Sequence, residues 1–236
     1  MLDCISVDNM RQSDALTIVK YVPSLELMRQ AAEGVFRAAK WHGKVAIVVG
    51  SGNNGGDGFA LACILHREHI DCAVFTVSQR LSSDSAYYAT QAKELGVPIL
   101  PFTPCCLNSF DMVVDCLLGT GFQGGLRENY RTAIEAINTS GAEVISVDIN
   151  SGMNGDTGEG ELIVRSDLTV TIGFVKHGLV TPNTGHYIKR LICADIGIVL
   201  AKEERKICND TEHHPNAIPC PSWLDMTVIK AFSETL

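Results

Sequence analysis

Short apolar runs recur along the chain from residue 44 onward and alternate with segments of helical periodicity. The periodicity predicts strands over 45–49, 72–77, 111–116, 143–147, 168–172 and 192–195, with helices over 58–68, 84–95 and 128–138 between them. Strands that are apolar throughout, and that are separated by amphipathic helices, are typical of a parallel sheet covered on both faces. Such a sheet places its ligand site outside the carboxyl ends of its strands.

The two ends of the chain differ from this central pattern. Apolar residues at three- and four-residue spacing predict N-terminal helices over 6–18 and 24–39, the second with Ser24 as its N-cap after Pro23. After residue 202 the alternation stops. We expect a domain over 1–202, followed by a polar tail over 203–236 that carries a short terminal helix at 223–232.

Composition narrows the classes of protein that the chain can belong to. The net charge is −8, which disfavours a nucleic-acid binder that relies on a broad basic face. The mean hydropathy of +0.13 indicates a sizeable core. The nine cysteines form no C-x-x-C pair, no signal peptide begins the sequence, and no window has the length of an apolar membrane span. These features predict a cytoplasmic protein with free thiols and no membrane association.

The segment GSGNNG, residues 50–55, follows the first central strand and satisfies the G-x-G-x-x-G pattern of dinucleotide-binding loops. That pattern also requires an acidic residue at the end of the second strand, where this chain has Ser78, Gln79 and Arg80. The ordinary dehydrogenase interpretation is therefore weak. Two interpretations of the glycines remain: a tight turn that needs φ > 0, or backbone amides that approach a ligand closely.

Two other predicted strands end in a carboxylate and run into glycine-rich loops. Asp115 precedes the loop at 119–125, and Asp148 precedes the loop that contains Ser151. Because parallel strands end at the same edge of a sheet, we expect these loops to share one site with the first. Asn54, Asp115 and Ser151 offer oxygen atoms suited to a hard cation, whereas Asp148 is the best-placed general acid or base.

Taken together, the segments GSGNNGGDGFALA, VVDCLLGTGFQGGLR, SVDINSGMNGDTGE and GFVKHGL resemble the YjeF N-terminal domain family, the NAD(P)H-hydrate epimerases. The resemblance covers residues 5–200. It implies a Rossmann-like three-layer α/β/α domain that interconverts the R and S forms of hydrated NADH and NADPH at C6, as a step of nicotinamide cofactor repair. It also implies one bound potassium ion per subunit, and a separate ADP- or ATP-dependent dehydratase as functional partner.

The resemblance transfers site residues to matching positions of this sequence. It implies Asp148 as the catalytic residue and as a substrate contact, and it implies Asn54, Asp115 and Ser151 as the potassium ligands. The implied substrate-binding residues are Asn53, Asn54, Gly55, Gly56, Asp57, Gly119, Thr120, Gly121, Phe122, Gln123, Gly124 and Gly125. One departure concerns Asn150, because the family usually has a proline there, which would stiffen the turn that presents Ser151.

Two alternatives stay open at this stage. A non-catalytic nucleotide-binding or scaffold module would keep the glycine loops as architecture alone, and a nucleotide-dependent oxidoreductase would bind and turn over unmodified NAD. Arg80 is a candidate contact for the 2′-phosphate of NADPHX, but a lone arginine does not establish that preference. The amphipathic N-terminal helices are a candidate homodimer face.

Overall fold

The computed structural model describes residues 2–122, 124–208, 217–219 and 226–230. The strands are β1 (Leu2–Ile5), β2 (Val45–Val49), β3 (Cys72–Thr76), β4 (Ile99–Pro101), β5 (Met112–Cys116), β6 (Glu143–Val147), β7 (Leu168–Ile172), β8 (Val175–Lys176), β9 (Leu191–Asp195), β10 (Arg205–Cys208), β11 (Ala217–Pro219) and β12 (Met226–Lys230). The α-helices are α1 (Val7–Lys20), α2 (Ser24–Ala38), α3 (Asn53–Arg67), α4 (Ser83–Glu94) and α5 (Glu128–Thr139), and two 3₁₀ turns cover His177–Val180 and Pro182–His186.

Eight strands of the described chain form a central sheet in the order β12-β9-β7-β6-β5-β2-β3-β4. All the strand pairs in this sheet are parallel. Every residue of β2, β5 and β7 is buried, as expected for strands covered on both faces. The predicted parallel sheet is confirmed. From β2 the chain proceeds to β3 and β4 on one side and to β5 and β6 on the other, so the strand order reverses between β2 and β5.

The alternation of side chains along β2 divides the core between the two faces of the sheet. Val45, Ile47 and Val49 belong to the apolar cluster that includes residues of α2, α3 and α4, whereas Ala46 and Val48 pack in the cluster built on α5. Helices therefore cover both faces, which confirms the predicted three-layer α/β/α arrangement.

Helix α1 buries a row of polar side chains, unlike α2. Asn9, Ser13 and Thr17 are buried at four-residue spacing. The Thr17 hydroxyl accepts a hydrogen bond from the backbone N–H of residue 199 at 2.9 Å, and the Ser13 hydroxyl accepts one from that of residue 201 at 3.0 Å. Because these contacts satisfy the irregular chain after β9, α1 is attached to the domain by hydrogen bonds as well as by apolar contacts.

A second, smaller sheet has the strand order β11-β10-β1-β8, and sequence periodicity did not predict it. In it, β1 pairs in parallel with the two-residue β8, so that Ile5 lies opposite Lys176. Strands of two to four residues are too short for a periodic pattern to identify them. The sheet matters for function because it fixes the position of Lys176.

Three sequence-based assignments are corrected by the structure. Helix α3 begins at Asn53 instead of residue 58, with Gly52 as its N-cap, so the glycine-rich segment is largely helical. Pro23, and not Ser24, is the N-cap of α2. Residues 226–230 of the predicted terminal helix form strand β12, because they extend the central sheet beside β9. The predicted boundary at residue 202 stays a prediction, and most of the tail lies outside the described residues. No helix in the described ranges is long and apolar enough to cross a membrane.

Candidate active site

A cavity of about 560 Å³ opens at the carboxyl edge of the central sheet, where the strand order reverses between β2 and β5. Its volume is within the range of small-molecule sites, and its position is the one where open α/β sheets bind ligands. The loops after β2, β5 and β6 line it together with α1 and α2. The residues that line it include Arg11, Asp14, Asn53, Asn54, Asp57, Gly119, Thr120, Arg127 and Asp148.

The glycines around the start of α3 allow close packing. A Cβ on Gly50 would lie 1.9 Å from the carbonyl oxygen of Leu117, and one on Gly58 would lie 2.8 Å from the Val49 side chain. None of the glycines at 50–58 has positive φ, so the tight-turn interpretation of this segment is wrong. No side chain caps α3 and its first turn carries no acidic residue, so the positive end of the helix dipole faces the cavity uncompensated.

Asp148 is the most constrained side chain in the cavity. Its φ of +69° is rare for a residue other than glycine, and such backbone strain clusters at functional sites. Its Oδ2 accepts a hydrogen bond from the backbone N–H of Thr120 at 3.0 Å. A Cβ on Gly119 would lie 2.8 Å from that same oxygen, so only glycine allows the loop to approach so closely. The loops after β5 and β6 therefore hold the carboxylate between them.

Lys176 contacts the other oxygen of Asp148 and was missed as a functional residue by the sequence analysis. Its Nζ donates to Asp148 Oδ1 at 2.6 Å, to the carbonyl oxygen of Ile172 at 2.7 Å and to Thr171 Oγ1 at 3.1 Å. The lysine is completely buried. A signal was present, because a lysine that directly follows the apolar pair Phe174-Val175 is unusual for a buried segment.

Two further carboxyl groups, on Asp14 and Asp57, line the same cavity. Burial raises the pKa of Asp14 to about 6, although the nearby Lys176 ammonium opposes the shift. Burial also raises the pKa of Asp57 well above its usual range, and the Asp148 and Asp14 carboxylates add to that effect. In the described chain neither Asp14 nor Asp57 takes part in an ion pair, and the Lys176 ammonium, which pairs with Asp148, only partly opposes the rise in their pKa values.

Asp115 lies behind the cavity and is completely buried. Its carboxylate accepts four hydrogen bonds: from Ser151 Oγ at 2.5 Å, from the Ser151 N–H at 2.9 Å, from Ser146 Oγ at 2.9 Å and from the Leu117 N–H at 3.2 Å. Burial raises the pKa of Asp115, whereas these donors lower it. The network brings Asp115 and Ser151 together, as the sequence pattern predicts.

Asn54, the third predicted cation ligand, is buried and lines the cavity. Neither its Oδ1 nor its Nδ2 has a hydrogen-bond partner in the described structure. A buried amide without partners is uncommon and indicates a group that the protein alone does not supply. With the Asp115 carboxylate and the Ser151 hydroxyl, the donor set consists of oxygens, one of them negatively charged, and it fits a hard monovalent cation.

Asn150, which stands where the family usually has a proline, is also fully buried. Its Nδ2 donates to the carbonyl oxygen of Val164 at 2.9 Å and to Ser166 Oγ at 3.0 Å, and its Oδ1 accepts from Thr169 Oγ1 at 2.6 Å. The side chain thus ties the turn that carries Ser151 to β7 and to the chain before it. These hydrogen bonds restrict the turn in place of a proline ring.

The structure places most of the predicted substrate-binding residues at the cavity. Those that line it are Asn53, Asn54, Asp57, Gly119, Thr120, Gly121, Phe122, Gly125 and Asp148. Gly55 and Gly56 are buried in α3 and do not line the cavity, Gly124 lines a smaller neighbouring cavity, and Gln123 lies outside the described residues. Arg80 does not line the cavity either.

The walls contributed by α1 and α2 were not predicted. Sequence analysis treated these helices as a candidate dimer face, but Met10, Arg11, Asp14, Leu27 and Met28 line the cavity. Periodicity identifies such residues as a buried face, and it cannot distinguish a face on the core from a face on a ligand site.

A doubly wound parallel sheet with an uncapped helix N-terminus at its switch point is an α/β architecture typical of nucleotide-binding proteins. The chain belongs to the family described as YjeF-related protein N-terminus, whose model matches residues 24–178. It is 36% identical over 199 residues to the NAD(P)H-hydrate epimerase of Limosilactobacillus fermentum, which covers 81% of this chain and 95% of that protein.

Two further comparisons extend this result. The chain is 34% identical over 195 residues to the bifunctional NAD(P)H-hydrate repair enzyme Nnr of Coxiella burnetii, a match that covers 80% of this chain and 40% of that protein. The crystal structure of yeast ynu0 has the same fold, with a TM-score of 0.70 at 21% identity, over 86% of this chain and 95% of that one.

Proposed function

We propose that the protein is an NAD(P)H-hydrate epimerase, an isomerase that interconverts the R and S forms of hydrated NADH and NADPH at C6. It acts in the repair of nicotinamide cofactors damaged by addition of water to the reduced ring. The relative from L. fermentum that carries this name is matched over nearly its whole length. The non-catalytic scaffold alternative requires no constrained carboxylate, so it does not account for the geometry of Asp148.

The observation that carries the proposal is Asp148, a strained and ion-paired carboxylate at the wall of a nucleotide-sized cavity. The uncapped N-terminus of α3 offers amides for a phosphate, and Arg11 and Arg127 add positive charge along the cavity wall. The phosphates of the substrate can therefore lie at the α3 end, with the hydrated ring near Asp148.

The reaction that suits this cavity is reversible loss of the C6 hydroxyl as water. The lone pair of the ring nitrogen expels the hydroxyl after it is protonated, and a cationic iminium ring results. Water then returns to either face of C6 and gives up a proton. The carboxylate of Asp148, beside the Lys176 ammonium, stabilises the cation, whereas Asp57 and Asp14 have raised pKa values and can hold the proton that is exchanged.

The decisive experiment supplies an R/S mixture of hydrated NADH together with an S-specific dehydratase. With the protein present, all of the mixture should be converted to NADH. If conversion stops when the S form is exhausted, the proposed function is wrong. Unmodified NAD serves as the control for an oxidoreductase and should not be turned over.

Substitution of Asp148 tests its role in the reaction. Asp148→Asn should lower the epimerisation rate by about 10²- to 10³-fold, the usual loss when one preorganised group that stabilises a developing charge is removed. Near-wild-type activity in a folded Asp148→Asn protein would contradict the catalytic assignment.

We further propose that one potassium ion is held by Asn54, Asp115 and Ser151. The ion supplies a positive charge beside the buried Asp115 carboxylate and a partner for the orphaned Asn54 amide oxygen. Wild-type protein should become more stable by about 1.4 kcal/mol when the potassium concentration is ten times Kd. Thermal unfolding in potassium against tetramethylammonium chloride measures this effect, and Asn54→Ala should abolish it. Equal melting temperatures of the wild type in both salts would refute the site.

The remaining proposals concern the setting of the enzyme. The relative from C. burnetii is named a bifunctional NAD(P)H-hydrate repair enzyme, and that second activity supports an ADP- or ATP-dependent dehydratase as the functional partner that uses the S product. A homodimer finds support in Ile18, Val19 and Tyr21, which are exposed at the end of α1. A cytoplasmic setting finds support in the free thiols of Cys4, Cys63, Cys72, Cys105, Cys106, Cys116 and Cys193.

A further inference from the structure

The ammonium of Lys176 has an environment that a packing role does not require. It is completely buried, and its three N–H bonds are matched by three acceptors, Asp148 Oδ1, Thr171 Oγ1 and the carbonyl oxygen of Ile172. Burying a charge is costly, and replacing both members of a buried ion pair by apolar residues of similar volume often gives a more stable protein. The charge of Lys176 must therefore be explained by what it does for its partner.

The partner is Asp148, and Lys176 itself cannot reach a ligand. Its side chain has no exposed surface and does not line the cavity, whereas the Asp148 side chain is 14% exposed and does line it. Any influence of the ammonium on a bound molecule therefore passes through the carboxylate. With Oδ1 held by Lys176 and Oδ2 held by the Thr120 N–H, the orientation of the carboxyl plane is fixed from both sides.

Two elements outside the main sheet hold Lys176 in place. The lysine ends the two-residue strand β8, and β8 pairs with the N-terminal strand β1, with Ile5 opposite Lys176. The Ile172 carbonyl that accepts from Nζ is at the end of β7, one short turn before β8. The ammonium thus connects the small sheet, the end of β7 and the loop after β6.

From these contacts we propose that Lys176 is a positioning residue for the epimerisation. It holds the Asp148 carboxylate in a fixed orientation against the cavity, so that this group already faces the ring as the C6–O bond breaks and the ring becomes cationic. This inference rests on the proposed function and adds to it a residue that never touches the substrate. Charges that are oriented before reaction stabilise a developing charge without reorganisation at the moment of reaction.

The first test replaces Lys176 by a residue of similar shape without charge. Lys176→Met should lower kcat by about 10²-fold, the usual effect of a small displacement of a reacting group, and should change KM by less than about threefold. Lys176→Arg keeps the charge and should retain more activity than Lys176→Met. Lys189→Met is the matched control, because it removes an exposed lysine that pairs with Asp167, and it should leave kcat unchanged.

The second test is a double-mutant cycle between Lys176→Met and Asp148→Asn. If Lys176 acts through Asp148, the double variant should be no slower than Asp148→Asn alone. The double variant should also be more stable than Lys176→Met alone, as measured by urea unfolding. In the double variant no carboxylate is left without its ammonium partner. These unfolding curves identify any variant that is inactive because it does not fold.

The outcomes separate this inference from the proposed function. A wild-type protein that does not epimerise hydrated NADH refutes the function itself. If the wild type is active, two results refute only the role of Lys176. One is a folded Lys176→Met variant that retains wild-type kcat, and the other is a double variant in which the two rate losses multiply. If the rate of the Asp148→Asn variant falls to the spontaneous rate, the kinetic constants of Lys176→Met decide whether Lys176 is a positioning residue. A Lys176→Met variant with a higher KM and an unchanged kcat contradicts that role.

Discussion

Removal of the Asn150 side chain should destabilise the protein strongly, because the residue is fully buried and takes part in three short hydrogen bonds. In Asn150→Ala, Ser166 and Thr169 can still pair with each other, since their hydroxyls are 2.8 Å apart. The carbonyl oxygen of Val164 loses its hydrogen bond from Asn150 Nδ2. One orphaned buried acceptor and the unfilled volume together should cost about 2–4 kcal/mol.

The assay is urea unfolding followed by circular dichroism, with thermal unfolding in parallel. For a chain of this length, the expected loss corresponds to a fall in melting temperature of roughly 5–15 °C. Asn129→Ala is the matched control, because Asn129 makes one exposed hydrogen bond to the Val77 carbonyl, and it should cost less than about 0.5 kcal/mol. Equal losses in the two alanine variants would refute the argument.

A proline at the same position tests whether the hydrogen bonds replace the ring. Asn150→Pro brings back the residue usual in the family, but it removes the amide on which Val164, Ser166 and Thr169 depend. We therefore expect Asn150→Pro to be less stable than wild type in this chain. A more stable proline variant would mean that stiffness of the turn matters more than the buried network.

The remaining predictions concern the cavity and the start of α3. Asp14→Asn should stabilise the protein by about 1–2 kcal/mol at pH 8 and have little effect at pH 3, as measured by urea unfolding. The pKa of Asp14 is about 6 in the folded state, above the usual 3.8. The native state of the wild type therefore loses stability as the pH rises from about 3.8 to about 6. A gain that does not depend on pH would contradict this assignment. Gly58→Ala should cost about 1–3 kcal/mol, because the added Cβ meets Val49 and Cys116 within 3 Å, whereas Gly52→Ala, with nothing within 4 Å, should be close to neutral. The order of the two unfolding midpoints decides that prediction.

The central sheet was predictable from sequence because β2, β5 and β7 are buried on both faces and are therefore mostly apolar, with Asp115, Thr169 and Thr171 as the polar exceptions. The same reasoning missed β8, whose two residues are too few to show a period. It also misjudged the start of α3, because glycines weaken the helical signal although tertiary packing keeps residues 53–57 helical. Packing against neighbouring elements, which a single sequence does not reveal, decided both cases.

The site was predictable to the extent that it lies at strand ends. Asp115 and Asp148 each follow an apolar run, so a parallel sheet must bring them to one edge. Asp14 carries no comparable signal, because it is an acidic residue on a helix whose buried stripe is itself polar. Lys176 was visible only as a charged residue directly after the apolar pair Phe174-Val175. Its role depends on a contact with Asp148, which is 28 residues earlier in the chain. Residues that act through others are identified by geometry and not by pattern.

The charge distribution of the cavity indicates the kind of chemistry that it supports. The Asp148 carboxylate is held at the cavity wall by Lys176 and the Thr120 N–H, and the Asp14 and Asp57 carboxyl groups lie in the same lining, an arrangement that favours a positively charged intermediate over a negatively charged one. A dinucleotide carries its own negative charge on its phosphates, so it is compatible with this cavity only if those groups lie away from the carboxylates, toward the uncapped end of α3. The same G-x-G-x-x-G segment that suggests a dehydrogenase thus faces a wall with a fixed carboxylate, which favours formation of a cationic ring and return of water to it.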